Sequence, residues 1–115
     1  MRASVAAGHP ATAAAGVEIL VDGGTAADAA VAAVLASCVA ETIMTGLLGG
    51  AHAIVWIRSQ TRNLDGFAAV PSGRGELIDL EVGFGEETVS YAVGPASCAV
   101  PGLPGALDAL WREHC

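Results

Sequence analysis

The chain has 115 residues, 53% of them hydrophobic, and a formal net charge of −7 carried against only five arginines and no lysine. Phosphate recognition needs clustered cations, so this balance excludes a nucleic-acid partner, and it supplies no polybasic anchor for a membrane surface. The length suits one domain of moderate core, with no linker or internal repeat to divide it.

Residues 4–48 are dense in alanine and carry the punctuation of two helices. His9-Pro10 starts the first, because proline at a first helical position has no amide to waste and a φ already helical. Gly23-Gly24 stops it, and Thr25 with Asp28 three residues on forms a capping-box pattern for the second. Val31, Val34, Leu35 and Cys38 recur at helical spacing and mark its expected apolar face; the rest is mostly alanine and allows close approach by a neighbour. The apolar stretch 29–40 has twelve residues between Asp28 and Glu41, short of the ~20 a membrane span needs.

Gly46-Leu47-Leu48-Gly49-Gly50 reads as a tight turn that lets backbone pack closely. It lacks the Gly-Lys-Ser/Thr or Gly-x-Gly-x-x-Gly of a phosphate loop. Residues 51–58 predict a strand, 59–62 a polar turn and 63–68 a second strand of a hairpin. Residues 71–75 form a loop. Over 77–82, Ile78, Leu80 and Val82 alternate with Asp79 and Glu81; 83–87 turn; Val89, Tyr91 and Val93 repeat the alternation. Residues 103–114 predict a last helix with apolar face Leu103, Leu107, Leu110 and Trp111. Helices first, then antiparallel strands, then a helix is an α+β order.

Few residues carry chemistry on their own. Cys38, Cys98 and Cys115 have no metal-ligand or paired spacing; Cys38 on a helix face and Cys98 in a strand-like run are expected to be packing thiols. The odd count points to a reducing compartment. His9 reads as structural near a helix start, and His52 as a packed or surface histidine of a strand. Asp65, Asp79, Glu81, Glu86 and Glu87 form no recognisable acid–base pair, and Asp79 and Glu81 read as a solvated strand face. No metal ligand set and no cofactor motif is present.

The order Gly8-His9-Pro10, Ala15-Gly16-Val17-Glu18-Ile19-Leu20, Gly23-Gly24-Thr25-Ala26-Ala27-Asp28-Ala29-Ala30-Val31-Ala32-Ala33, Glu41, Gly46, Gly49-Gly50, Leu64-Asp65-Gly66, Val100-Pro101-Gly102 and Gly105-Ala106-Leu107 resembles the start of the gamma-glutamyltranspeptidase family, within the N-terminal nucleophile hydrolase superfamily. The resemblance implies a partial αββα sandwich completed by strands outside this sequence. Residues 1–115 would then be an N-terminal fragment of a large subunit. Its partners would be the missing downstream large-subunit and small-subunit segments, and its substrate a small-molecule amide. Sheet edges and helix faces left uncovered in such a fragment make it prone to association. No charged region followed by an apolar core precedes the family-like start, so export is not signalled and a cytoplasmic location is expected.

In the family a threonine freed by self-cleavage attacks an amide carbonyl, its own amine acting as base, and it opens a Thr-Thr-His-like motif. None of Thr12, Thr25, Thr42, Thr45, Thr61 or Thr88 begins such a motif, so this chain contributes no catalytic residue and is expected to be inactive alone. Thr25 reads as a helix cap, and Thr45 as a turn residue. Family transpeptidases read Asp-Gly-Arg-Glu-Thr-Ala-Pro where this chain reads Asp65-Gly66-Phe67-Ala68-Ala69-Val70-Pro71. The arginine that grips the α-carboxylate of a glutamyl group aligns with Phe67, which makes Phe67 the one expected substrate-binding residue. A guanidinium offers a carboxylate a bidentate fork and a phenyl ring offers none; Arg62 and Arg74 flank the segment. Three functions stay open: acyl transfer or hydrolysis of a gamma-glutamyl amide such as glutathione, a related acylase or amidase with other acyl specificity, and a truncated non-catalytic binding protein.

Overall fold

The computed structural model describes residues 3–114, and Cys115 lies outside them. The fold is α+β: helices α1 (Pro10–Val21) and α2 (Ala26–Ala40), a hairpin of β1 (Ala51–Ile57) and β2 (Gln60–Gly66), a hairpin of β3 (Ile78–Phe84) and β4 (Glu87–Val93), a 3-10 turn Pro95–Ser97, and α3 (Leu103–His114). Two compact units divide these elements, Ala69–Val100 forming the second.

In the first unit, His9 Nδ1 accepts a hydrogen bond from the Ala11 amide (3.1 Å) ahead of Pro10. Gly23, at φ 92°, ends α1: its amide donates to Leu20 O (3.3 Å) and the Gly24 amide to Ile19 O (2.9 Å), the Schellman pattern. The capping box closes as expected, with Asp28 N donating to Thr25 Oγ1 (3.1 Å) and Thr25 N to Asp28 Oδ2 (2.9 Å). A cap of this kind stabilises a helix by about 1 kcal/mol.

The seam between α1 and α2 is built from small residues. Thr12 and Gly16 are the buried positions of α1; Ala27, Ala29, Ala33 and Ser37 are those of α2. A Cβ on Gly16 would stand 3.2 Å from the Ala29 carbonyl oxygen and 3.0 Å from Val5 Cγ1, so the helices touch at backbone distance. The expected face of Val31, Val34, Leu35 and Cys38 is not this seam: these residues are half-buried, and Leu35 is exposed. Every face of α2 is apolar, so the face that permits the closest approach takes the contact. Thr12 Oγ1 donates to Glu41 Oε1 (2.7 Å), tying the start of α1 to the end of α2.

The β1–β2 register runs from Ile57 opposite Gln60 to Ala51 opposite Gly66. Its turn has two residues, Arg58 and Ser59, at φ 50° and 64°, as a type I′ hairpin requires. The left-handed region costs non-glycine residues roughly 1–2 kcal/mol each. The expected turn over 59–62 and strand over 63–68 are thereby corrected: Gln60, Thr61 and Arg62 are strand residues, and their polarity reflects an exposed surface. Ala51, Ala53 and Val55 are half-buried on the face they share with Gly66, towards α3; His52, Ile54 and Trp56 face outward. On α3 the buried stripe is Leu103, Ala106, Leu107 and Leu110. Trp111, expected in that stripe, is 55% exposed at its rim, and Ala106 takes the inward position.

In the second unit β3 pairs with β4 from Ile78 opposite Val93 to Phe84 opposite Glu87, around Gly85 at φ 66°. The turn is thus two residues, not the expected five. Ile78, Leu80, Tyr91 and Val93 share one face and are exposed, while Asp79 and Glu81 occupy the solvated face as expected. Ala69 and Val100 close the unit through paired backbone hydrogen bonds of 3.0 and 2.8 Å. Cys98 is neither in a strand nor buried: the 3-10 turn, with Ser97 Oγ bonded to Gly94, breaks the extended run and leaves the thiol exposed. Among the described residues no helix is long and apolar enough to cross a membrane.

Gly16→Leu is expected to destabilise the helix pair by about 1–3 kcal/mol, since the Ala29 carbonyl cannot move aside. Gly105→Ala, where a Cβ meets nothing within 4 Å, is expected to raise stability. Helical ellipticity followed against urea checks both; equal midpoints for the two variants would contradict the seam.

Candidate functional site

The candidate site forms where β2 ends. Three backbone segments meet there without room for side chains. A Cβ on Gly50 would lie 2.7 Å from Ala68 N and 2.9 Å from Phe67 Cα. One on Gly102 would overlap the carbonyls of Gly66 and Phe67, and one on Gly66 would overlap the Ala106 methyl. The Leu103 amide donates to Gly49 O (3.1 Å), and Gly49 N to Gly46 O (2.9 Å), so the glycine turn works as turn and packing element.

This grip sends the Phe67 side chain outward, 64% exposed. Its ring stacks on His52, with centroids 5.7 Å apart and planes 13° from parallel. Asp65 stands between them in function: its Oδ1 accepts from the Phe67 amide (3.0 Å) and lies 3.4 Å from His52 Nδ1. His52 and Asp65 are direct cross-strand partners, so both side chains leave the same face. Sequence reasoning left His52 alone and Asp65 unpaired. The signal that joins them is the register, which follows only once the turn is known to have two residues.

Arg62 is not at this cluster. It pairs across from Val55, and its Nη1 is 3.8 Å from Glu113 Oε2 of α3. Arg74 belongs to the second unit. The arrangement at Phe67 therefore presents an aromatic face, an imidazole and a carboxylate, with no guanidinium among the described residues of its own unit. Behind the hairpin an apolar cavity of about 460 Å³ is lined by Val34, Ala53, Val55, Leu107 and Leu110, with His52 also on its border.

The threonines bind within the fold. Thr12 and Thr25 are engaged as described above, and Thr45 Oγ1 donates to Ser37 O (2.7 Å) at the end of α2. Thr42, Thr61 and Thr88 are exposed. Among the described residues no three of His, Cys, Asp or Glu are grouped to hold a metal ion. Remote from the site, the Arg112 guanidinium is held above its ordinary pKa by its hydrogen bond to Asp108 (2.8 Å) and by that carboxylate's charge.

Residues 12–115 match the family model described as Gamma-glutamyltranspeptidase. The chain is 36% identical over 119 aligned positions to the acylase ACY 1 proenzymes of Pseudomonas sp. strains V22 and SE83, covering 96% of this chain and 21% of each relative. It is 29% identical over 113 positions to glutathione hydrolase proenzyme 2 of Schizosaccharomyces pombe, covering 98% of this chain and 18% of the relative. The transpeptidase CapD of Bacillus anthracis superimposes with a TM-score of 0.75 at 20% identity, over 99% of this chain and 32% of that one, and so shares the fold. The chain thus spans about a fifth of the curated relatives and about a third of the solved chain, in their N-terminal portion. The chain belongs to the gamma-glutamyltranspeptidase family.

Asp65→Ala removes the acceptor that holds the Phe67 amide. A hydrogen bond of this type contributes about 0.5–1.5 kcal/mol, so exchange of the Phe67 amide proton is expected to accelerate roughly two- to tenfold. Amide exchange by NMR checks it; an unchanged rate would show the turn to be held by the glycine packing alone.

Proposed function

We propose that this chain is the N-terminal segment of an enzyme that, when complete, cleaves an amide and passes the acyl group to water or an amine, and that Phe67 borders the acyl subsite. Family membership supports the reaction class. In that reaction a nucleophilic hydroxyl from the downstream segment adds to the amide carbonyl. The C–N bond breaks, the amine leaves with a proton, and the resulting ester is resolved by water or by a second amine.

The observation that carries the specificity reading is the Phe67–His52 stack beside Asp65. Among the described residues of this unit, no guanidinium stands beside Phe67 to meet an acyl group ending in a carboxylate, which would face the Asp65 carboxylate. A neutral or apolar acyl group meets an exposed aromatic face. The reading is therefore an acylase or amidase of altered acyl preference, in keeping with two relatives named acylase. Hydrolysis of a gamma-glutamyl amide such as glutathione is the second reading, favoured by the relative named glutathione hydrolase.

In the complete enzyme, weak discrimination between gamma-glutamyl and neutral acyl amides is expected. Phe67→Arg is expected to raise relative kcat/KM for the carboxylate-bearing amide by roughly ten- to a hundredfold, the equivalent of one charge-assisted hydrogen bond of about 1.5–3 kcal/mol. Paired kcat/KM measurements on gamma-glutamyl and neutral acyl anilides check this. Strong native preference for the gamma-glutamyl substrate would contradict the reading and assign the grip to another cation.

A further inference from the structure

At the other end of the β1–β2 hairpin, away from Phe67, lies a polar groove of about 530 Å³. Arg58, Gln60, Arg62, Glu113 and His114 line it, over a floor that includes Val55. Gln60 and Arg62 are two apart on β2 and so leave the same face. Arg58 enters from the left-handed turn, and His114 from the last turn of α3. Two of the chain's five cationic residues are therefore gathered in one groove of a protein whose net charge is −7.

His114 adds an independent observation. Its side chain is 8% exposed, and its Nε2 is buried with no hydrogen-bond partner among the described residues. Buried polar atoms are rarely left so, and each one calls for an explanation. Glu113 Oε2 lies 3.9 Å from that nitrogen, beyond hydrogen-bond distance. The same oxygen is 3.8 Å from Arg62 Nη1, also long, and the Glu113 side chain is half exposed. Among the described residues no carboxylate is within ion-pair distance of Arg58.

We propose that Arg58, Gln60, Arg62 and His114 form a binding site for a small oxyanion, the carboxylate or phosphate group of a metabolite-sized molecule. Each guanidinium presents a planar fork of donors suited to such a group. The Gln60 amide and the His114 Nε2 add further donor positions. Two guanidinium groups against one carboxylate leave the groove net positive. The bound oxyanion displaces Glu113, whose contacts with Arg62 and His114 are too long to hold it. The site is separate from the Phe67 cluster and does not depend on the reading of the acyl subsite.

The test is arginine protection on the full chain. Phenylglyoxal modification, mapped by peptide mass, is run with inorganic phosphate, with acetate, or with chloride at matched ionic strength. Protection of Arg58 and Arg62 but not of Arg74 or Arg112 is expected, and the more effective probe identifies the group as tetrahedral or planar. NMR of the His114 ring nitrogens is expected to show saturable shifts with that probe. Arg58→Asn, which tolerates the left-handed turn, and Arg62→Gln are each expected to weaken binding by at least about tenfold, while Arg112→Gln leaves it unchanged. Equal protection of all four arginines, absence of saturation, or equal affinity in all three variants would overturn the proposal.

Discussion

The close contact of three backbone segments at Gly66 organises the first unit. Gly50 approaches Phe67 and Ala68, Gly102 approaches the carbonyls of Gly66 and Phe67, and Gly66 itself lies against Ala106. No side chain larger than hydrogen fits at these points. The end of β2 is thus fixed to the start of α3 by steric fit and by the Leu103–Gly49 hydrogen bond, rather than by a large apolar contact. Two consequences follow. The inner face of the hairpin, with its small Ala51 and Ala53, closes on α3, and the residue after Gly66 is forced outward. Phe67 projects for this reason; Asp65, two residues before it on β2, holds its amide, and His52 on the neighbouring strand stacks on its ring.

The hairpin acts as a strut with different chemistry at its two ends. At the Gly66 end stand an aromatic ring, an imidazole and a carboxylate. At the Arg58 end stand two guanidinium groups, an amide and a buried imidazole nitrogen. Between them the outer face carries Ile54 and Trp56, both largely exposed. The helix pair α1–α2 contributes a rigid support whose closeness comes from alanine and glycine, and whose ends are locked by the Thr12–Glu41 hydrogen bond and the capping box. Small residues serve both contacts, since backbones can approach only where side chains are short.

Both ends of α1 and the start of α2 are legible in the sequence because caps act locally: His9-Pro10, Gly23-Gly24 and Thr25 with Asp28 each make their hydrogen bonds within a few residues. The existence of both hairpins was legible for the same reason, and so was the family, through motifs spread over most of the chain. What was not legible depends on pairing across distance. The Arg58-Ser59 turn lacks the glycine or asparagine that marks a two-residue loop, so the strand boundary was set three residues late and the His52–Asp65 pair was missed. Which face of α2 meets α1 is not legible, because an alanine helix has no contrast between its faces. Trp111 and Cys98 were placed inward on hydrophobicity alone, whereas close packing by Ala106 and the turn at Gly94–Ser97 leave both outside.

The backbone convergence is tested most directly by comparing Gly66→Ala with Gly46→Ala, since a Cβ at Gly46 meets nothing within 4 Å. The measurement is amide exchange at Leu103 together with the ring-current shift of His52 from Phe67. Gly66→Ala is predicted to expose the Leu103 amide and abolish the ring-current shift, while Gly46→Ala leaves both as they are. Retention of Leu103 protection and of the stacked rings in Gly66→Ala would contradict the account.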